Sequence, residues 1–279
     1  MNILIFGSNG FIGKHLAHHF QSIGHRVLAP KRQEVDLLNQ TVTSAYIESI
    51  QPDVVINAAI SIHSVETNLG IHFNIDRCRD HYGRLINIGS GAEYSSQHYT
   101  PLMPETQFGK FTPSDTYGIS KFTIARDIER STSNAINLRV FGIYGEHEDH
   151  SRRFISNNIC SAIRNGQIIV NKNALFDYID VLDFCKISEK FLTLQTRYRS
   201  YNVCSAQPRE LIDIASVIHR ISRKNCIITV HESRPQSHYS GDNSRLLSEI
   251  GSFAFTPMDK SVSRLYDWYE TEFTAGRIT

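Results

Sequence analysis

The chain has 279 residues, of which 41% are hydrophobic and 20% are charged. This length and apolar content are enough for one large α/β unit or two interlocked domains. Its formal net charge of +1 at pH 7 gives no general attraction to nucleic acid or to an anionic membrane, and we expect neither as a partner. No apolar run is long enough to span a bilayer, and the first residues lack the pattern of a signal peptide. We therefore expect a cytoplasmic protein.

The cysteines and histidines do not form a recognisable metal or disulfide pattern. The five cysteines are an odd set without a CxxC pair, and the 13 histidines are scattered rather than set at the spacings of metal ligands. Free thiols in a reducing compartment explain this distribution better than disulfides. We predict no metal site.

The predicted elements follow the alternation of short apolar runs and helical segments that is typical of βαβ units and a parallel sheet. The predicted strands are Asn2–Phe6, Arg26–Ala29, Asp53–Asn57, Arg84–Ile88, Ala135–Phe141, Gln167–Val170, Asp177–Ile179 and Tyr201–Val203. The predicted helices are one from the first glycine turn to about Ile23, then Gln40–Ile50, Tyr117–Ser131, Leu211–Ile221 and Leu265–Phe273.

This order predicts an α/β fold, a Rossmann-type doubly wound parallel sheet with a smaller C-terminal α/β substrate domain. We assign residues 1–145 and about 174–205 to a dinucleotide-binding domain. Residues of about 146–173 and 206–279 would then form the substrate-binding domain.

A glycine-rich turn directly follows the first predicted strand and opens the first helix. The sequence from Gly7 to Gly13 has the form GxxGxxG, which lets the backbone turn tightly and approach a pyrophosphate at the N-terminus of the helix. A structural turn could use the same residues, but the position at a strand–helix junction favours dinucleotide binding. The predicted cofactor-binding residues of this turn are Gly7, Asn9, Gly10, Phe11, Ile12 and Gly13.

The end of the second predicted strand indicates which dinucleotide is bound. An acidic residue at this place would bond the ribose hydroxyls of NAD, whereas this chain has Lys31 and Arg32. Their positive charges suit a ribose 2′-phosphate, which favours NADP(H), with NAD(H) as the second choice. The alternative is a solvated basic pair on a loop. We expect Asp36 to lie nearer the adenine.

Three residues predict acid–base chemistry on a carbonyl group. Tyr117 and Lys121 form a YxxxK motif, and on a helix these two positions share a face. A nearby ammonium group would lower the pKa of the phenol toward the working range. Ser90, just after the fourth predicted strand, could hold a carbonyl oxygen against Tyr117. The alternatives are an exposed helix pair and an ordinary turn serine.

The combination resembles the extended short-chain dehydrogenase/reductase family, and most closely its branch of 4-keto-6-deoxy nucleotide-sugar reductases, which contains GDP-fucose synthase and dTDP-4-dehydrorhamnose reductase. Matching segments run through nearly the whole chain: the glycine turn, Asn57-Ala58-Ala59, Ser90, YxxxK, Leu138–Gly145, Phe176–Asp183 and Tyr201–Ser205. The resemblance implies that Ala58, Ala59, Tyr117 and Lys121 contact the cofactor and that the protein is a homodimer packed through the Tyr117 helix.

The departures from the family narrow the reaction. Dehydratases of the family carry Thr-Asp-Glu where this chain has Ser90-Gly91-Ala92, and the Cys and His with which GDP-fucose synthase epimerises its substrate correspond to Ala92 and Arg153. The family's usual Asn near Gly142 is also missing. Finally, we expect the stretch from Asn74 to Ser90 to be too short for a full crossover helix.

We therefore expect an NADPH-dependent reductase that delivers hydride to C4 of a 4-keto-6-deoxy nucleotide sugar, with Tyr117 as the acid. By family analogy it would serve surface-polysaccharide synthesis. An NAD-dependent nucleotide-sugar 4-epimerase needs the same three residues and is the alternative, and a non-catalytic dinucleotide sensor is a third possibility. The expected substrate-binding residues are Ser90, Arg153, Arg209 and Arg234, and the diphosphate could also meet Arg139 or Arg152.

Overall fold

The computed structural model describes residues 1–235 and 237–278. Its strands within these residues are β1 (Asn2–Phe6), β2 (Arg26–Leu28), β3 (Val54–Asn57), β4 (Arg84–Ser90), β5 (Ala135–Val140), β6 (Gly142–Tyr144), β7 (Gln167–Val170), β8 (Leu175–Phe176), β9 (Tyr178–Asp180), β10 (Ser200–Val203), β11 (Arg209–Glu210), β12 (Ile227–Val230) and β13 (His238–Tyr239).

The helices complete the βαβ pattern. They are α1 (Phe11–Ser22), α2 (Gln40–Ile50), α3 (Val65–Asp76), α4 (Thr116–Arg130), α5 (Phe154–Asn165), α6 (Val181–Lys190), α7 (Leu211–Ile221), α8 (Ser244–Ile250) and α9 (Met258–Thr274). Short 3₁₀ helices lie at Arg79–His81, Gly91–Glu93, Ser96–His98 and Glu105–Gln107. Within the described part of the chain, no helix is long and apolar enough to cross a membrane.

Six strands form one parallel sheet in the order β10-β5-β4-β3-β1-β2. The chain moves from β1 outward to β2 and then returns to the other side of β1 with β3. The order of strands therefore reverses at β1, and a crevice opens between the segments that follow β1 and β3. Ligands of open α/β sheets bind in such a crevice, at the carboxyl ends of the strands. The predicted α/β fold with a doubly wound parallel sheet is confirmed.

Each face of the sheet is covered by helices because successive strand residues point to opposite sides. On β1, Ile3 and Ile5 pack in a cluster that includes buried residues of α1 and α6. Leu4 and Phe6 pack in a second cluster, with buried residues of α2, α3 and α4. A third buried cluster joins α5, α7 and α9 around β7, outside the six-stranded sheet. The division into two domains at the residues named above stays a prediction.

Helix α3 corrects one expectation. We expected no full crossover helix between Asn74 and Ser90, but the crossover between β3 and β4 is made earlier, by the 12 residues of α3. The Ser64 side chain caps this helix by accepting a hydrogen bond from Thr67 N. Because α3 buries polar residues such as Asn68 and His72, it lacks the apolar periodicity by which helices are predicted.

Candidate active site

The glycine turn is built for the close approach of a ligand to its backbone. Gly7 has a φ of 81°, and a Cβ at this position would lie 2.5 Å from the backbone carbon of Ala58. A Cβ at Gly13 would lie 2.3 Å from the Gly7 carbonyl oxygen. The N-cap residue of α1, Gly10, makes no side-chain cap, and the first turn holds no acidic residue. The N–H groups and dipole of α1 therefore remain available to an anion, which fits a dinucleotide pyrophosphate.

The other predicted cofactor contacts surround this turn. Ala58 and Ala59 follow β3 directly, and their backbone atoms lie against Gly7. Lys31 and Arg32 are exposed just beyond the carboxyl end of β2, where the Lys31 backbone N–H donates to the Glu34 carboxylate at 2.6 Å. Of the remaining predicted cofactor residues, Asn9 lies on the turn itself, and Phe11 and Ile12 begin α1. Asp36 is exposed on the loop after β2.

Replacing Gly7 by alanine should weaken dinucleotide binding. The new Cβ would meet backbone atoms, which cannot rotate away, at a left-handed φ that costs about 1–3 kcal/mol for an L-residue. We expect NADPH affinity measured by calorimetry to fall by roughly 5- to 150-fold, the equivalent of that strain. Gly24→Ala is the matched control, because Gly24 has a φ of 88° with no atom within 4 Å of its added Cβ. Equal losses in both variants would contradict this role of the turn.

Ser90 is the last residue of β4 and begins the 3₁₀ turn at Gly91–Glu93. Its backbone N–H donates to the Glu93 carboxylate at 2.9 Å, and its Oγ accepts the N–H of Ala92 at 3.1 Å. These two bonds form a capping box, in which the side chains of Ser90 and Glu93, at the two ends of the turn, each accept a hydrogen bond from a backbone N–H near the opposite end. The Ser90 hydroxyl is thus held at the carboxyl end of the sheet.

Helix α4 brings Tyr117 and Lys121 to Ser90. The Asp115 side chain caps the helix by accepting the Gly118 N–H at 2.8 Å. Gly118 lets the helix approach the serine turn, since a Cβ there would lie 2.8 Å from the Ala92 carbonyl oxygen. Lys121 is only 5% exposed, and its Nζ donates to the Ile88 carbonyl oxygen at 2.5 Å. The three predicted catalytic residues are therefore close together.

The electrostatics of the pair differ from the sequence-based expectation. Burial raises the pKa of the Tyr117 phenol above its usual value, and a hydrogen bond with Ser90 and the charge of Arg153 only partly oppose this. Burial also lowers the pKa of Lys121 to about 8, which the negative charge of Glu93 opposes. In this structure the groups that lower the phenol pKa are thus Ser90 and Arg153, while Lys121 is bonded to β4.

A buried ion pair lies beneath the serine turn. Glu93 and Arg139 are both fully buried, and their Oε2 and Nε atoms are 2.6 Å apart. The guanidinium carbon of Arg139 lies 4.8 Å from the ring centre of Tyr94 and 4.5 Å from that of Phe108. Our expectation that Arg139 could meet a substrate diphosphate is wrong, because its side chain is enclosed by protein and compensates a buried carboxylate.

An amide ladder extends this network across the sheet. Asn57, Asn87 and Asn137 are in register on β3, β4 and β5. Asn57 donates to Asn87 at 3.2 Å, Asn87 donates to Asn137 at 2.7 Å, and Asn137 donates to Glu93 at 3.0 Å. A continuous chain of buried hydrogen bonds thus connects the segment after β3, beside the glycine turn, to the carboxylate that holds Ser90.

The other predicted arginines lie at different places. Arg153 is the exposed N-cap residue of α5, and its charge acts on both Tyr117 and Tyr239. Arg152 precedes it and is exposed. Arg209 is exposed on β11, at the edge of the three-stranded sheet β11-β8-β13, and Arg234 lies on the exposed segment before β13. The structure thus brings the charge of Arg153 within electrostatic range of Tyr117.

Sequence reasoning missed two residues of this site. Glu93 had a local signal, because Ser90-Gly91-Ala92-Glu93 has the S-x-x-E spacing of a capping box. Tyr239 had none, since it reaches the serine turn only through the pairing of β13 with β8. Its hydroxyl lies against Gly91, where an added Cβ would be 2.6 Å away.

Comparison with known proteins identifies the family of this chain. The sequence model of the NAD dependent epimerase/dehydratase family matches residues 3–204. The chain belongs to this family. The predicted resemblance is confirmed, and with it the predictions of an NAD(P)-dependent oxidoreductase and of a nicotinamide dinucleotide cofactor.

Individual relatives within this family are distant. The chain is 22% identical to a GDP-L-colitose synthase of Yersinia pseudotuberculosis over 60% of its own length and 63% of that protein. It is 23% identical to a GDP-6-deoxy-D-talose 4-dehydrogenase of Aggregatibacter actinomycetemcomitans over 95% of its length and 97% of that protein. A GDP-L-fucose synthetase of Naegleria fowleri bound to NADP has the same fold, with a TM-score of 0.84 at 15% identity over 98% of this chain and 95% of that chain.

Proposed function

We propose that this family member is an NADPH-dependent reductase of a 4-keto-6-deoxy nucleotide sugar. The observation that carries the proposal is the grouping of Ser90, Tyr117 and Lys121 at the carboxyl end of β4, at the same edge of the parallel sheet as the glycine turn. The name of the full-length relative from Aggregatibacter supports the choice of position 4 of a 6-deoxy sugar carried on GDP. The colitose synthase is likewise named for a GDP sugar.

The residues divide the work of carbonyl reduction. When bound, NADPH supplies the hydride that adds to C4. Tyr117 donates its phenol proton to the carbonyl oxygen as negative charge develops there, and Ser90 donates a hydrogen bond to the same oxygen. Lys121, whose ammonium donates to the Ile88 carbonyl oxygen near the end of β4, would hold the nicotinamide ribose. Arg153, exposed beside the phenols, is our candidate for the substrate diphosphate, with Arg209 and Arg234 farther along the substrate domain.

The neighbouring side chains favour reduction over dehydration and over epimerisation of the carbons beside the carbonyl. Both of those reactions require a base within reach of a sugar C–H bond. Positions 91 and 92 are glycine and alanine, and the Glu93 carboxylate that follows them is fully buried and paired with Arg139. Arg153 stands where an epimerising reductase has a histidine, and a guanidinium group has hydrogen-bond donors but no acceptor, so it does not serve as a base.

The basic residues after β2 support NADPH as the cofactor. Lys31 and Arg32 are exposed near the crevice, where their side chains could reach a ribose 2′-phosphate. In the double variant Lys31→Ala/Arg32→Ala we expect NADPH to bind about 10- to 150-fold more weakly, at about 1.5–3 kcal/mol for the lost charge-assisted bonds, while NADH affinity stays within about 2-fold. Arg26→Ala, at the other end of β2, is the matched control in calorimetry. Equal weakening for both cofactors would contradict the assignment.

Two experiments test the function against its alternatives. The purified protein should turn over 4-keto-6-deoxy sugars carried on GDP with oxidation of NADPH. NAD that stays bound through purification, with interconversion of C4 epimers and no net oxidation, would support the 4-epimerase instead. NADPH binding without turnover of any keto sugar would favour the dinucleotide sensor. We also propose that the protein is cytoplasmic and forms a homodimer packed through α4. Light scattering of the purified protein tests whether it is a dimer.

A further inference from the structure

A second phenol lies beside the catalytic serine. The Tyr239 hydroxyl lies so close to Gly91 that an added Cβ would be 2.6 Å from its oxygen. The Ser90 side chain lowers the pKa of both Tyr239 and Tyr117, which places its hydroxyl within reach of both phenols. Ser90 therefore lies between two phenols, one from α4 and one from β13.

Tyr239 is held firmly in this place by its backbone and its ring. It pairs with Phe176 of β8, and its carbonyl oxygen accepts the Asp177 N–H at 2.9 Å. Its ring centre lies 5.4 Å from that of Tyr99, 5.2 Å from that of Phe141 and 5.3 Å from that of Phe176. A ring enclosed in this way keeps its hydroxyl aimed at the serine turn without the entropy cost of ordering it on substrate binding.

The two phenols cannot ionise equally, because a charge on one opposes a charge on the other. Burial raises the pKa of Tyr239, and a negative charge on Tyr117 or Glu93 raises it further, while Ser90 and the positive charge of Arg153 oppose the rise. Tyr239 therefore stays protonated when Tyr117 gives up its proton. It remains a hydrogen-bond donor throughout the reaction.

The hydrogen-bonding capacity of Ser90 shows what this donor does. A serine hydroxyl has one proton to donate and two lone pairs that accept. One lone pair takes the Ala92 N–H at 3.1 Å. If the second lone pair accepts a hydrogen bond from the Tyr239 hydroxyl, the Ser90 proton must point away from both of these donors. It then points toward the Tyr117 hydroxyl, beside which the substrate carbonyl oxygen would lie. A hydrogen bond accepted by a hydroxyl also strengthens the one that it donates.

We propose that Tyr239 is a positioning residue, whose phenol donates to Ser90 Oγ and thereby directs the Ser90 proton onto the carbonyl oxygen of the substrate. The expected effect of Tyr239 on the reaction rate rests on the proposed carbonyl reduction. The link between Tyr239, Ser90 and Tyr117 does not need a substrate and is tested separately.

A double-mutant cycle tests the catalytic consequence. We expect Tyr239→Phe, which keeps the ring, to lower kcat by about 3- to 10-fold, the value of one hydrogen bond, without changing NADPH affinity. In the Ser90→Ala background the same substitution should cost nothing, since its acceptor is gone. Tyr99→Phe is the matched control, because the Tyr99 hydroxyl donates to the Gly91 carbonyl at 2.5 Å and not to Ser90. Tyr99→Phe should therefore lower kcat by the same factor with Ser90 and with alanine at this position. Losses that simply multiply for Tyr239→Phe and Ser90→Ala would overturn the proposal.

Titration of Tyr117 tests the same link without turnover. With tyrosine labelled at the ring carbon that bears the hydroxyl, the NMR signal of Tyr117 is assigned by its loss in Tyr117→Phe. We expect Tyr239→Phe to raise the Tyr117 pKa, because the bond from Ser90 that stabilises the phenolate weakens, and to cause no further rise when Ser90 is alanine. An unchanged Tyr117 titration would disprove the positioning role even if the enzyme reduces keto sugars. A raised pKa in a protein that reduces none would uphold the link and refute the proposed reaction.

Discussion

Tyr117→Phe should lower kcat/KM for the keto sugar by about 100- to 10,000-fold, the usual contribution of a general acid. The substitution removes only the proton that the carbonyl oxygen needs, because the ring stays and the turn at Ser90 is held by its own capping box with Glu93. NADPH affinity should change by less than about 10-fold, since one hydrogen bond at most is lost. The rate is measured by oxidation of NADPH, and cofactor binding by calorimetry.

A control separates loss of the acid from loss of any tyrosine. Tyr198 is 44% exposed and lies under the Arg245 guanidinium, outside the catalytic group. Tyr198→Phe should therefore retain full activity. Turnover by Tyr117→Phe within about 10-fold of the wild type would show that another group protonates the oxygen, and the assignment of Tyr117 as acid would be withdrawn.

Glu93→Leu should destabilise the fold more than an ordinary core substitution. Leucine has a similar size, but it leaves the fully buried Arg139 without the carboxylate that lies 2.6 Å from its Nε. Removal of one partner of a buried ion pair costs about 3–5 kcal/mol, because the remaining charge is cut off from water and Arg139 then keeps only the more distant Glu129 carboxylate. We expect that loss in the free energy of unfolding measured with urea.

The double variant Glu93→Leu/Arg139→Met identifies the cause of this loss. Because it removes both charges, it should recover part of the stability, although the bonds from Ser90 and Asn137 to Glu93 stay broken. Glu129→Leu is the matched control, since Glu129 is 34% exposed and its Oε1 lies 3.9 Å from Arg139, so it should cost less than about 1 kcal/mol. A double variant no more stable than Glu93→Leu would locate the effect in the serine turn instead.

The sequence by itself determined the local parts of this site. The glycine turn is readable because a positive φ at Gly7 and the tight contact at Gly13 exclude almost every other residue. Tyr117 and Lys121 are readable because helical periodicity places positions four apart on one face. The parallel sheet follows from the alternation of short apolar runs with helices, and its order agrees with the predicted fold. Each of these features depends on neighbours within a few residues.

Only the tertiary structure decided which charged and phenolic groups surround those parts. Arg139 looked available to a diphosphate, yet the pairing of β4 with β5 places it opposite Gly89, where its side chain bonds to the buried Glu93. Lys121 was expected to act on Tyr117, and the packing of α4 instead puts its ammonium on the Ile88 carbonyl. Tyr239 reaches Ser90 through strand pairing far along the chain. Burial and charge depend on residues distant in sequence, so the pattern of one segment cannot reveal them.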